Sequence, residues 1–340
     1  MQFSVDDAAV GSPTCPRVTP WHSTTARDGP QCPHAARQTR NKTMTRIMCV
    51  GVATLDVVNT VARYPDEDSE VRASQQALRM GGNAANTAVV LAQMGDTVSW
   101  VGNLAPSCAV IDASFAAHGV DTSLATRLSE GVTPTSYITL SAATGSRSIV
   151  HYRDLPEYTA DSFLRLDLPA FDWIHFEGRA IDELGAMITH ARAQSVARLS
   201  LEVEKPRPGI ESLFPHVDLL MFSRDYAQAK NEPSASALLQ SLPPGTRASC
   251  TWGADGAWAI DCDGQTQHVA APRLEVIADT VGAGDAFNAA LVHALHQGDT
   301  LFDALSTAVA LASLTCTHHG LDLGNLALAR RASGLAQPPN

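Results

Sequence analysis

The sequence predicts an α/β fold: a mostly parallel sheet between helices on both faces, with a small β excursion beside it. Three observations point there. Short apolar runs of β character alternate with helical patterns along most of the chain, which is the signature of parallel strands joined by crossover helices. Two long helical stretches close the body at 284–296 and 301–318. Hydrophobic residues make up 45% and charged residues 17% of the 340, a composition that lies away from disordered chains and is sufficient for a large core.

The elements follow in order. Residues 47–53 (IMCVGVA) form a short apolar run suited to a buried parallel strand. Segments 57–64 and 70–80 alternate and are more polar, which suits a strand pair outside the main sheet. Asn83–Gln93 is rich in Ala, Val and Leu at helical spacing and stops at Gly95. Residues 97–102 read as a strand. Segments 136–141 and 148–152 bracket a turn at Thr144 and Gly145. Four apolar runs follow, Trp173–Glu177, 199–203, 219–223 and 248–252, separated by helices expected at Ile181–Gln194, 209–214 and 235–242. Residues 256–261 and 266–270 read as a hairpin around Asp263 and Gly264.

The first 43 residues differ from the rest. Five prolines, at 13, 16, 20, 30 and 33, and no apolar periodicity predict a disordered extension or the product of an upstream start codon, with Met44 as a natural start. A transit peptide is the competing reading, opposed by Asp6, Asp7 and Asp28. Residues 44–325 are expected to form the body and 326–340 a C-terminal tail. The chain has 24 basic and 35 acidic side chains, net −11. That balance speaks against a nucleic-acid face, which needs basic stripes. It leaves room for a phosphorylated ligand, because a few backbone N–H groups can hold phosphate locally. No apolar run is long enough to span a bilayer. Seven scattered cysteines without a CxxC pair read as reduced thiols of a cytoplasmic protein.

Three motifs could carry chemistry. In Asp279-Thr280-Val281-Gly282-Ala283-Gly284-Asp285-Ala286-Phe287, glycines run straight into a helix. The first turn of a helix has unpaired N–H groups and a dipole that favours an anion, and Asp285 there could act as a base. Phe287 in the sixth position rules out G-x-G-x-x-G, and no G-K-[ST] follows to make a Walker A loop. The bland alternative is Asp285 as a helix-start residue only. In Gly81-Gly82-Asn83-Ala84-Ala85-Asn86, two asparagines at i, i+3 share one helix face and offer donors and acceptors to neutral hydroxyls; the alternative is an ordinary cap. In Gly51-Val52-Ala53-Thr54-Leu55-Asp56, the carboxylate lies just past the first strand, where open α/β sheets bind ligands; the alternative is a turn aspartate. His175 reads as a core or rim residue, and Glu177 and Arg179 as either cleft-lining groups or a structural pair.

Together, G-x-x-x-x-D, G-G-N-x-x-N and D-T-x-G-A-G-D-x-F, in this order and spacing, resemble the ribokinase/PfkB carbohydrate kinases. The segments from Tyr64 to Glu70, Trp173 to Arg179, Glu202 to Arg207 and Gly145 to Val150 resemble the ketohexokinase (hepatic fructokinase) branch. The resemblance implies a ribokinase-like three-layer fold with a small β-sheet lid, its strands at about 57–80 and 136–152. It implies transfer of the γ-phosphoryl of ATP to a ketose hydroxyl, fructose to fructose 1-phosphate as first guess, with Mg²⁺ entering alongside ATP. Asp285 would be the base, and the N–H groups of Gly282, Ala283 and Gly284 the anion hole. Asp56, Gly82, Asn83 and Asn86 would hold the sugar. Arg147 would reach the nucleotide phosphates, and Trp252, Gly253, Ala254, Asp255 and Gly256 would form a loop beside the nucleotide. A homodimer through the lid is also implied. Met80 departs from the arginine that precedes Gly-Gly-Asn in that branch, and Ser223-Arg224-Asp225-Tyr226 replaces the ribokinase N-x-x-E. Another sugar or a nucleoside as acceptor, and a catalytically silent sugar or nucleotide sensor, are the alternatives.

Overall fold

The computed structural model describes residues 46–144 and 146–324. The expected N-terminal extension (1–43), Gly145 and the C-terminal tail (326–340) lie outside the described residues. Fourteen strands are described: β1 (Arg46–Val50), β2 (Thr54–Val61), β3 (Gln75–Gly81), β4 (Thr97–Val101), β5 (Asn103–Leu104), β6 (Thr126–Arg127), β7 (Thr135–Ser141), β8 (Arg147–Tyr152), β9 (Trp173–Glu177), β10 (Arg198–Val203), β11 (Leu219–Phe222), β12 (Ala248–Thr251), β13 (Ala257–Ile260) and β14 (Thr266–Val269). The helices are α1 (Asn83–Gln93), α2 (Ala109–Ala117), α3 (Ala160–Phe163), α4 (Ile181–Gln194), α5 (Arg224–Ala229), α6 (Ala235–Ser241), α7 (Ala283–Gln297) and α8 (Leu301–Thr315).

The main sheet has eight strands in the order β14-β13-β12-β11-β10-β9-β1-β4. From β12 to β4 every pairing is parallel; only the β12–β13–β14 edge is antiparallel. The parallel strands are buried on both faces, which is why they read as unbroken apolar runs. Two cores flank the sheet. One packs α1, α7 and α8 around Trp100, Phe115, Phe287 and Leu305. The other packs α4 and α6 around Phe163, Phe176, Ile188 and Leu239.

A separate sheet runs β3-β2-β7-β8. Asp56 lies in β2 of this small sheet, paired between Arg79 and Ser136, so it is a strand residue and not a turn aspartate. Alternation then places Asp56, Arg79, Ser136 and His151 on one face and Leu78, Val57, Tyr137 and Val150 on the other. Met80 falls on that second face and packs partly buried against the first core.

The segment 210–216 is 3₁₀ rather than α-helical; Pro215 inside it cannot donate an α-helical hydrogen bond. The thiols of Cys49, Cys108, Cys250 and Cys316 are free. No described helix is long and apolar enough to cross a membrane.

Candidate active site

A cavity of about 550 Å³ opens where the C-terminal ends of β9, β10 and β11 meet the starts of α1 and α7 and the inner face of the small sheet. This is the crevice in which open parallel sheets hold ligands. Asp56, Gly82, Asn83, Asn86, Arg147, Gly282, Gly284 and Asp285 all line it, although they are drawn from residues more than 220 positions apart.

Two helices start at this cavity, and both begin on glycine. Gly82 precedes α1 with φ +97°, and a β-carbon there would lie 2.2 Å from the Val52 carbonyl oxygen. Gly282 precedes α7 with φ +81°, where a β-carbon would press on Leu321. Neither start has a side-chain cap. At α7 the Ala283 N–H makes a long bond to the Thr280 carbonyl (3.4 Å), and the Ala286 N–H closes on Gly282. The N–H groups of Gly282, Gly284 and Asp285 are left to face an anion. Val281 N–H is held by the Asp279 carboxylate at 2.9 Å, which shapes the loop before the helix.

Asp285 is buried, in the first turn of α7, and accepts a hydrogen bond from the Asn86 amide at 2.7 Å. Burial pushes its carboxyl up to about 7. The Asn86 bond opposes that rise, and the charges of Glu204, Glu177 and Asp56 add to it. Asp56 is also raised by burial, against hydrogen bonds from Ser136 and Thr54 and the charges of His151 and Arg79.

Behind these groups lies a second row of carboxylates. Glu177 Oε2 accepts from the backbone N–H of Val52 (3.0 Å) and of Ala84 (3.3 Å), tying the loop after β1 to the start of α1. Its Oε1 meets Arg179 at 3.4 Å, so the pair both lines the cavity and forms an ion pair. Glu202 Oε1 accepts from Asn83 (3.1 Å) and Asn288 (3.0 Å), and Glu204 accepts the other Asn83 amide hydrogen (3.2 Å). Asn83 therefore turns only its carbonyl oxygen toward a ligand; the donor expected of it is already used.

Cations are interleaved with these carboxylates: Arg147, Arg179, Lys205 and Arg207 line the cavity, with Lys205 at 3.5 Å from Glu204. Arg147 donates to the Thr280 hydroxyl at 2.8 Å, and Arg79 pairs with Asp279, so two strands of the small sheet reach the loop before α7. Among the described residues, no group of three or more His, Cys, Asp and Glu side chains is arranged to hold a metal ion.

Some expected residues lie elsewhere. Ala283 does not line the cavity, and neither do Trp252, Gly253, Ala254, Asp255 and Gly256; Thr251, just before them, does. Those five form a closed turn, with Trp252 N–H bonded to the Gly256 carbonyl at 2.8 Å and Gly253 near Arg224. His175 is a core residue: fully buried, bonded to Ser200 at 2.9 Å and held neutral, its value lowered to about 4 by burial. Sequence reasoning missed Asn288 and the site position of Glu202. Two signals mark them: Asn288 is one helical turn beyond Asp285, and Glu202 and Glu204 are carboxylates at i, i+2 at the end of an apolar strand.

A family profile described as pfkB family carbohydrate kinase matches residues 44–327. The chain belongs to this family. It is 35% identical to mouse ketohexokinase over 291 residues, covering 82% of this chain and 98% of the relative. It is 26% identical to the aminoimidazole riboside kinase of Salmonella typhimurium over 313 residues, covering 82% and 91%. Among solved structures, Arabidopsis thaliana ribokinase complexed with ribose and ATP superimposes with a TM-score of 0.69 at 19% identity, covering 82% of this chain and 94% of that one. The eight-stranded sheet, flanking helices and separate small sheet are thus a ribokinase-like α/β fold.

Proposed function

We propose that this carbohydrate kinase transfers the γ-phosphoryl group of ATP to a hydroxyl of a ketose, with D-fructose as the first substrate and its 1-phosphate as the product. The observation that carries the reading is the meeting of a buried carboxylate, Asp285, with open helix N–H groups in one cavity walled by hydroxyl-binding side chains. The 35% identity to a ketohexokinase favours a ketose, and the riboside kinase among the relatives is the reason to test other acceptors.

In this reading Asp56, Gly82, Asn83 and Asn86 hold the sugar. Asp285 takes the proton of the attacking hydroxyl, which requires it to be ionised and within hydrogen-bond reach. Phosphoryl transfer through a loose transition state asks chiefly for in-line positioning and stabilised charge. The N–H groups of Gly282 and Gly284 supply that stabilisation, with Ala283 contributing if its long turn bond gives way. Arg147 reaches the nucleotide phosphates, and the turn from Trp252 to Gly256 borders the nucleotide beyond Thr251. Magnesium arrives on ATP in this reading.

The body over 44–325 acts as one kinase domain. The small sheet, including the segments about 57–80 and 136–152, is its lid, and closure excludes water as a competing acceptor. The outer lid face carries exposed Leu78, Tyr137 and Val150 in one cross-strand row. An apolar row of that kind suits a homodimer through the lid; light scattering on Tyr137→Asp should then report a monomer where the unaltered chain is a dimer.

The test of the site is Asp285→Asn. Turnover should fall by roughly 10²–10⁴-fold, the usual contribution of a general base, while calorimetry still detects sugar binding. Turnover within tenfold of the unaltered protein removes Asp285 from the base role.

A further inference from the structure

Glu202 stands at the fifth position of β10 and is 6% exposed. Its two carboxyl oxygens differ. Oε1 takes amide hydrogens from Asn83 and Asn288, whereas Oε2 is buried without any partner. An ionised carboxylate spreads its charge over both oxygens, and a buried one without a donor is costly. A protonated carboxyl fits this asymmetry better: the carbonyl oxygen accepts two bonds, and the unpartnered hydroxyl is neutral, which costs less than an unpartnered charge. We propose that Glu202 is a positioning residue for the sugar, which fixes the amides of Asn83 and Asn288 through Oε1 and carries a proton on Oε2 in the working enzyme.

The surroundings agree. The carboxyls of Asp285 on α7, Glu177 on β9 and Glu204 just after β10 act on Glu202 by charge. The cations Arg147, Arg179, Lys205 and Arg207 and the imidazole of His151 line the same cavity, with Arg179 paired to Glu177 and Lys205 to Glu204. Burial raises Glu202 well above the ordinary carboxyl range, and the charges of Asp285, Glu177 and Glu204 raise it further, against the Asn83 hydrogen bond. Carboxyls that repel one another do not ionise together readily, so a proton held on Glu202 leaves Asp285 the easier to ionise. With Glu202 neutral, Asp285 ionises first and can accept the hydroxyl proton. Ionisation of Glu202 at higher pH adds a second negative charge beside the incoming phosphoryl group.

The second consequence is recognition. Glu202 and Glu204 consume both amide hydrogens of Asn83, leaving its carbonyl oxygen as the ligand-facing atom. With the carboxylates of Asp56 and Asp285, the floor presents acceptors, which selects a ligand rich in hydroxyl donors.

This rests on the kinase reading for its kinetic part, so the test has two arms. In the first, Glu202→Gln, an uncharged isostere, is compared with Glu202→Ala using MgATP and D-fructose. Glu202→Gln should keep kcat within about threefold at neutral pH and lose the alkaline fall in kcat/KM expected of the unaltered enzyme. Glu202→Ala should raise the sugar KM about tenfold with a smaller change in kcat, because Asn83 and Asn288 lose their common acceptor. In the second arm, melting temperatures are measured from pH 5 to pH 9 without substrate. A carboxyl raised in the folded state contributes stability that is lost as pH rises through its folded value. Glu202→Gln lacks that loss, so its melting temperature should gain on the unaltered protein as pH rises. A melting difference that is flat with pH overturns the proton assignment, whether or not any sugar is turned over. An unchanged KM in Glu202→Ala, or an alkaline fall retained in Glu202→Gln, overturns the positioning role.

Discussion

The starts of α1 and α7 look alike in sequence and differ in what meets their N–H groups. Both follow a glycine with positive φ, both lack a side-chain cap, and both face the same cavity. At α1 the protein itself answers: Glu177 accepts from Ala84, and Asn83 and Asn86 are held by carboxylates. At α7 the N–H groups of Gly284 and Asp285 find no acceptor among the described residues. The first start is finished internally and presents side chains to neutral hydroxyls. The second is left open and suits an anion. By contrast α3, α5, α6 and α8 begin on Thr159, Ser223, Ser234 and Thr300, whose hydroxyls accept the helix N–H groups. α2 and α4 also lack a side-chain cap, so an uncapped start marks a binding site only where, as at α1 and α7, it opens on the cavity.

The contrast can be broken most severely at α7. Gly282→Ala forces a left-handed conformation on a residue with a β-carbon and presses it against Leu321. Loss of one preorganised donor costs about 10²–10³ in kcat, so steady-state assays should show a fall of that order with sugar affinity little changed. A smaller loss would mean that the loop, not its φ angle, makes the anion site.

Acidity separates the chemistry at α7 from its stability. Asp285 must be ionised to act, so kcat/KM should fall about tenfold per pH unit below about 7. Stability should run the other way. The folded-state value lies above the unfolded one, so the neutral carboxyl's advantage is full at low pH and is lost as pH rises through about 7. Melting curves from pH 4 to pH 8 should show a shallower slope in Asp285→Asn than in the unaltered protein, the remainder coming from Glu202.

At α1 the expected effect is smaller and appears in binding. Gly82→Ala puts a β-carbon against the Val52 carbonyl and moves the asparagine wall. Backbone strain of this kind costs on the order of 1–3 kcal/mol, and the sugar KM should rise more than kcat falls. The smallest effect belongs to an ordinary cap: Ser234→Ala should cost about 1 kcal/mol of stability and leave turnover unchanged.

Much of this was legible in the sequence, for identifiable reasons. α1, β9 and α4 fall where the periodicity predicts them, because each is punctuated by glycine or bounded by an unbroken apolar run. α2 escaped notice, because only Ile111 and Phe115 in it are buried and its pattern is weak. Asp56, Asn86 and Asp285, singled out by their glycine-containing motifs, all line the cavity. Glu202 was hidden as a site residue by its place in the interior of a strand, where its neighbours in sequence are apolar and its partners, Asn83 and Asn288, are 119 and 86 positions away. The turn from Trp252 to Gly256 was drawn to the nucleotide by resemblance alone, and its own backbone bonds close it beside the cavity instead of within it.

The central claim is that the cavity between these two helix starts phosphorylates a ketose. The most direct measurement is ADP release with MgATP across a panel of ketoses, aldoses and nucleosides, with the product's phosphorylated position read by NMR. Ketose-dependent release, with D-fructose among the best acceptors and phosphate on its first carbon, is the predicted result. Release that depends on a nucleoside or an aldose, or no release with any acceptor, would contradict it.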